Sequence, residues 1–150
     1  VRGCLLGGAV GDALGAPVEF APITSRSEGV TGFPTGRAEV TDDTQMTLFT
    51  AEGLIRASVG SRRGGASELR EAVWRAYLRW LHTQQETLPG NASKQILTGW
   101  LIGQRSLHHR RAPGNTCLGA LRSGRAGTRT ARINDSKGCG GVMRAAPAGL

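Results

Sequence analysis

The chain is poor in the features that mark several common classes of protein. Its three cysteines, Cys4, Cys117 and Cys139, are odd in number, widely spaced and include no CxxC pair. That supports neither a disulfide framework nor a zinc site, and a reducing, cytoplasmic setting is expected. No uninterrupted apolar run approaches the roughly 20 residues that a membrane helix needs. The apolar opening Val1-Arg2-Gly3-Cys4-Leu5-Leu6 is soon interrupted by Gly11-Asp12 and lacks the layout of a signal peptide, so no membrane partner is expected. Aromatic residues amount to only 5% and do not interleave with the basic ones as stacking platforms would, which argues against a dedicated nucleic-acid surface. Period-2 alternation, internal repeats and low-complexity segments are also missing. The expectation is an all-α fold.

Acidic residues run out along the chain. Residues 1–86 carry nine basic and ten acidic groups, whereas residues 87–150 carry ten basic groups and one acid, Asp135. A cationic second part attracts phosphate-bearing ligands, although an arginine-to-lysine ratio of seventeen to two in a Gly- and Ala-rich chain also fits biased base composition of the gene. At 150 residues, with 39% hydrophobic and 20% charged, the chain has the size and balance of one globular domain. Val1 is not an initiator methionine and Leu150 ends inside an apolar, helix-prone run, so a portion of a longer protein is expected.

Glycines at 3, 7, 11 and 15 form one ridge of a first helix, beside an apolar row of Leu6, Val10 and Leu14. Each glycine costs a helix about 1 kcal/mol relative to alanine, so the ridge implies either tight helix packing or a ligand against the backbone. Pro17 ends the helix near Ala16, leaving Glu19 at its exit, able to point into a cleft. Residues 20–40, with Pro22, Gly29, Gly32, Pro34 and Gly36, read as a long loop lining a site. A helix then runs from Asp43 to near Gly60, and the clearest one starts at Ser67, with Leu69, Ala72, Val73, Ala76, Tyr77, Trp80 and Leu81 as its core stripe. Further helices are expected over 93–107, with Ile96, Leu97, Trp100 and Leu101 inward, and over 116–122 with Asn115 as cap. The last element is a glycine-rich turn, Ser136 to Arg144, feeding a helix whose free N–H groups would suit a phosphate.

Thr41-Asp42-Asp43-Thr44 places four oxygen-bearing side chains in a row. Hard oxygen donors suit Mg²⁺, Mn²⁺ or Ca²⁺; the same residues also make a helix start, with Asp43 as cap and Asp42 complementing the dipole. Three segments decide between these. Gly11-Asp12-Ala13-Leu14-Gly15 with Glu19, Thr41 to Met46, and Gly138 to Pro147 together resemble the ADP-ribosylglycohydrolase family. Ala112 to Cys117 and Tyr77 to Gln84 are similar to that family as well.

The resemblance implies a mainly orthogonal multi-helix bundle, here the N-terminal portion (1–150) of a single domain, apparently truncated at its C-terminus. It implies two Mg²⁺ ions, with Mn²⁺ possible, and cleavage of the glycosidic bond between ADP-ribose and a modified protein or other conjugate. Thr41, Asp42 and Asp43 match the first group of metal ligands, and Glu19 the catalytic or water-positioning acid. Ser136, Gly138, Cys139, Gly140, Gly141 and Met143 match the segment that wraps the diphosphate and ribose. The family's second, C-terminal cluster of metal ligands has no match in this chain. A non-catalytic binder of ADP-ribose, a protein-interaction domain and a basic nucleic-acid-binding domain are the competing readings.

Overall fold

The computed structural model describes residues 1–20, 22, 38–60 and 65–150. Among them the regular structure is entirely helical, as the missing alternation implies. Helix α1 covers Arg2–Gly15, α2 Asp42–Gly60, α3 Ala66–Thr83 and α4 Asn115–Arg122; short 3-10 turns make up the rest. No described helix is long and apolar enough to cross a membrane. Most of the expected 20–40 loop lies outside the described residues.

The core is the seam between α2 and α3. Met46 and Phe49 of α2 meet Ala76, Trp80 and Leu81 of α3, joined by Leu101, Leu107, Leu118 and Leu121. The two helices approach closely at Gly53, where an added Cβ would sit 2.8 Å from Val73 Cα and 3.2 Å from Ala76 Cβ. A buried polar network crosses the same seam. Trp80 Nε1 and Gln84 Nε2 each donate to Gln45 Oε1 at 3.0 Å, and Gln45 Nε2 donates to the His109 carbonyl at 3.0 Å. Arg79, buried on α3, donates through Nε to Glu52 of α2 at 2.9 Å.

Several expectations need correction. The segment 93–107 is three 3-10 turns, Lys94–Ile96, Leu101–Gly103 and Arg105–Leu107, instead of one helix. Gly99 breaks it at φ +117°, and the Thr98 carbonyl is taken by Arg56 Nη2 at 2.7 Å instead of by a helical N–H. Leu101 and Leu107 still face inward, but Trp100 is 74% exposed. Leu69, placed in the core stripe of α3, is exposed as well. Asn115 lies inside α4, whose N-cap is Gly114. No α-helix follows the glycine-rich segment; Cys139–Gly141 and Ala146–Gly149 are isolated 3-10 turns, the second containing Pro147 near its start. The idea of an extended helix start pointing its N–H groups at a phosphate therefore falls, because the run of aligned peptide dipoles is too short.

Helix α1 packs differently from α2 and α3. Only Ala13 of it is buried, while Leu6 and Val10 are exposed. An added Cβ at Gly3, Gly7, Gly11 or Gly15 would meet nothing within 4 Å. Tight helix packing is thus not the reason for the ridge among the described residues.

Candidate active site

The Asp12 carboxylate ties α1 to the start of α2. Oδ1 accepts the Thr41 hydroxyl at 2.7 Å, and Oδ2 accepts the Thr41 N–H at 2.8 Å, the Thr44 N–H at 3.1 Å and the Thr44 hydroxyl at 2.6 Å. One acid therefore satisfies two backbone donors at the start of a helix that has two acids of its own in its first turn. Thr41 Oγ1 also accepts the Asp43 N–H at 3.3 Å, so the helix cap is Thr41 and not Asp43. Thr41 alone caps the helix, and Asp42 and Asp43 sit in its first turn.

Asp42 is buried, at 6% exposure. Its backbone N–H donates to the Arg111 carbonyl at 2.9 Å, and its Oδ2 accepts the Gly114 N–H at 3.4 Å. Burial pushes its carboxyl up to about 6; the Gly114 N–H opposes this, and the charges of Asp43 and Glu19 add to it. The Asp43 carboxyl is raised by burial and then by Asp12. Carboxylates held where ionisation is penalised, with like charges around them, gain from a nearby cation.

Two adjoining hollows open on these groups. The larger, about 490 Å³ in volume, lies along α1, with Gly11, Asp12, Gly15 and Thr41 in its wall. The smaller, about 270 Å³, is lined by Asp42, Gly114, Thr116, Asn134 and the glycine-rich segment. Glu19, Asp43, Cys139 and Met143 border both, so they mark the junction of one two-part cleft. Every sequence-predicted site residue lines it. Thr41 faces the larger hollow, Asp42, Ser136, Gly138, Gly140 and Gly141 the smaller, and Glu19, Asp43, Cys139 and Met143 the junction.

Two residues of this cleft were not anticipated in role. Asp12, within the Gly11 to Gly15 segment, fixes Thr41 and Thr44. Arg144 is the one basic residue lining the smaller hollow among the described residues. Its guanidinium lies 4.5 Å from the centre of the Tyr77 ring, and its Nη1 is 3.3 Å from Met46 Sδ and 3.8 Å from Cys117 Sγ. Its position directly after Met143 was the available signal. Tyr77 in turn shares a 2.6 Å hydrogen bond with Thr50, which fixes its ring.

The donor set fits a hard divalent cation on one side. Thr41 Oγ1 sends its proton to Asp12 and so keeps lone-pair capacity, and two carboxylates follow it directly. Among the described residues no group of three His, Cys, Asp or Glu converges as a metal cage. Such cations take about six oxygen ligands, more than the side chains of Thr41, Asp42 and Asp43 offer.

The profile of the ADP-ribosylglycohydrolase family matches residues 1–150. No curated protein and no solved structure matches the chain at a significant level. That family acts on ADP-ribosylated substrates as glycosyl hydrolases and is generally metal-dependent, in keeping with an oxygen-rich acidic cleft beside a glycine-rich wall. The match spans the whole chain, from the α1 ridge to the last turn: the chain belongs to the ADP-ribosylglycohydrolase family.

Proposed function

We propose that this chain forms the substrate cleft and one side of the metal centre of a Mg²⁺-dependent hydrolase. The bond cleaved joins ADP-ribose to a modified protein, nucleic acid or small molecule. The observation that carries this is the junction of the two hollows, where Glu19 and Asp43 stand between the α1 wall and the glycine-rich segment. An elongated ligand whose internal diphosphate lies along the glycine-rich segment and whose reacting ribose reaches the junction suits that shape.

Thr41, Asp42 and Asp43 would hold the cation, with Asp12 keeping the Thr41 hydroxyl oriented. Bound Mg²⁺ supplies Lewis acidity toward ribose oxygens and water, the usual contribution of such ions to hydrolysis. Glu19 handles the proton of the attacking water at its carboxylate. Ser136, Gly138, Cys139, Gly140, Gly141 and Met143 contact the diphosphate and ribose, with little side-chain bulk to obstruct them. The half-buried Arg144 adds positive charge in the same hollow. The remaining metal ligands come from protein outside residues 1–150.

The test incubates ADP-ribosylated protein and ADP-ribosylated nucleic acid with residues 1–150 and with a chain extended at the C-terminus, in MgCl₂ or EDTA, and measures released ADP-ribose. Mg²⁺-dependent release by the extended chain, lost in Glu19→Gln, is expected. Comparable release by residues 1–150 alone would refute the divided metal centre. The partial ligand shell also favours a second reading, a binder of ADP-ribose without turnover. Its mark is saturable ADP-ribose binding by the extended chain with no release from any conjugate.

A further inference from the structure

The segment 109–114 runs past the start of α2, and its Ala112 and Gly114 line the smaller hollow together with Asp42. Two of its backbone groups reach Asp42. The Arg111 carbonyl accepts the Asp42 N–H at 2.9 Å, and the Gly114 N–H donates to Asp42 Oδ2 at 3.4 Å. The second bond lies at the far edge of hydrogen-bonding range, so a small outward drift of the segment breaks it. Between these two groups stands Ala112 at φ +50°, with Pro113 after it. An alanine does not keep to the left-handed region by its own preference. Its surroundings have to hold it there.

The holding contacts are unequal. On the solvent side Arg110 pairs with Glu86 and Arg111 with Glu39, and exposed pairs of this kind contribute little. On the inner side Gln45 Nε2 donates to the His109 carbonyl at 3.0 Å, from a side chain that is 1% exposed. The orientation of that amide is forced. Trp80 Nε1 can only donate, and together with Gln84 Nε2 it occupies Gln45 Oε1 from the α3 side, which leaves the Gln45 amide N–H facing the segment. Helix α3 thus sets Gln45, Gln45 sets His109, and the same segment meets Asp42 two and five residues further on.

We propose that Gln45 is a positioning residue of the metal site, holding the strained 109–114 segment so that the Gly114 N–H fixes the rotamer of Asp42. Groups that orient a ligating carboxylate govern how well it binds a cation, and with one oxygen tied the carboxylate cannot turn freely. What Asp42 binds rests on the hydrolase reading; how Asp42 is held rests on the geometry.

The test takes the chain extended at its C-terminus, titrates Mg²⁺ by calorimetry and follows backbone amide exchange by NMR. Gln45→Met, which keeps the volume and removes the amide, is expected to weaken Mg²⁺ binding about tenfold. It also speeds exchange of the Gly114 amide several-fold while the amides of α3 stay protected. Ala112→Gly adds backbone freedom at a conformation glycine accepts readily. It is expected to weaken Mg²⁺ about threefold with the melting temperature held or raised, a split that a purely structural role would not give. Gly53→Val, which loosens the α2–α3 seam, lowers the melting temperature and leaves Mg²⁺ affinity unchanged. Circular dichroism verifies that each variant is folded, and Ala112→Gly carries the test if Gln45→Met does not fold. Unchanged Mg²⁺ affinity in the folded variants of Gln45 and Ala112, or a Gly114 exchange rate unmoved by Gln45→Met, overturns the proposal and leaves the hydrolase reading standing. So does a loss of affinity in Gly53→Val as large as in Gln45→Met, since affinity would then merely follow stability. No Mg²⁺ binding by the unaltered chain overturns both.

Discussion

Glycine plays opposite parts on the two sides of α2. Toward α3, Gly53 lets two backbones touch, with Val73 Cα at 2.8 Å from where a Cβ would stand. Toward the cleft, a Cβ added at the glycines of α1 would meet nothing within 4 Å among the described residues, and Gly11 and Gly15 form bare wall of the larger hollow. The α2–α3 seam is held by packing around Phe49 and Trp80, while α1 is held to α2 by hydrogen bonds converging on one carboxylate, Asp12. The site thus sits at the border between a packed half and a half kept in place by polar contacts. Its geometry depends on charge more than on core volume.

The sharpest way to break this contrast is at the aspartates. Asp42→Asn is expected to reduce hydrolysis by an extended chain on the order of a thousand-fold, as loss of a metal-organising group does. The same change raises the melting temperature without metal, because a buried charge that resists ionisation is removed and the Asn oxygen can still accept the Gly114 N–H. Asp12→Ala should do the opposite to stability. Four donors lose their acceptor, and a loss of about 3 kcal/mol follows from the cap and charge-assisted bonds involved. Amide exchange should then show α1 released while α2 and α3 stay protected. If Asp12→Ala left α1 protected, polar tethering would be the wrong account.

The packed seam predicts a cost of different origin. Gly53→Val places methyl groups against the Val73 backbone, which cannot give way as a flexible side chain would, so about 2–3 kcal/mol is expected from overpacking. Denaturant melts should show it with Mg²⁺ affinity unchanged. A neutral result would mean that α2 and α3 are free to slide, and the contrast between the halves would collapse.

The fold was legible where periodicity was strong. Met46, Phe49, Ala76, Trp80 and Leu81 fall inward as the i, i+3, i+4 pattern demands, because buried stripes leave that trace in sequence. The pattern over Ile96 to Leu101 was just as periodic, yet a positive-φ Gly99 and a carbonyl captured by Arg56 divide it, and such tertiary capture has no local trace. Candidate site residues were legible as chemistry: adjacent oxygens, an acid after a proline-ended helix, and a run of glycines. Their convergence on one cleft was not, since Asp12 reaches Thr41 across 29 positions. Nor could the ridge of α1 reveal its purpose, because glycine chosen for close packing and glycine chosen for an open wall look alike until the neighbours are known.

That ambiguity has a direct test. Gly11→Ala and Gly7→Ala should each stabilise α1 by about 1 kcal/mol through helix propensity, with no steric conflict to offset the gain. Only Gly11 lines the cleft. ADP-ribose affinity of the extended chain should therefore fall in Gly11→Ala and hold in Gly7→Ala. Equal behaviour of the two in binding would sink the idea that the ridge is substrate wall.

The smallest effect concerns how the segment that backs Asp42 is fastened to the packed half. Glu86 accepts from Arg122 of α4 at 2.6 and 2.9 Å and from Arg110 at 2.9 Å, and Arg110 adjoins Arg111, whose carbonyl holds the Asp42 N–H. Hydrogen bonds from Arg122 first, then Arg110, bring the Glu86 carboxyl down from the usual 4.5 to about 2. A depressed acid contributes its stability in full above its unfolded value and loses it as pH falls toward the folded one, so the window runs from about 4.5 down to about 2. Melting curves of the wild type and Glu86→Gln should therefore differ most above that window and converge below it. The difference should shrink in high salt, since the cluster is open to water. A gap that persisted at pH 2 would show that Glu86 acts by shape instead of charge, and that packing, not polar contact, secures this border of the site.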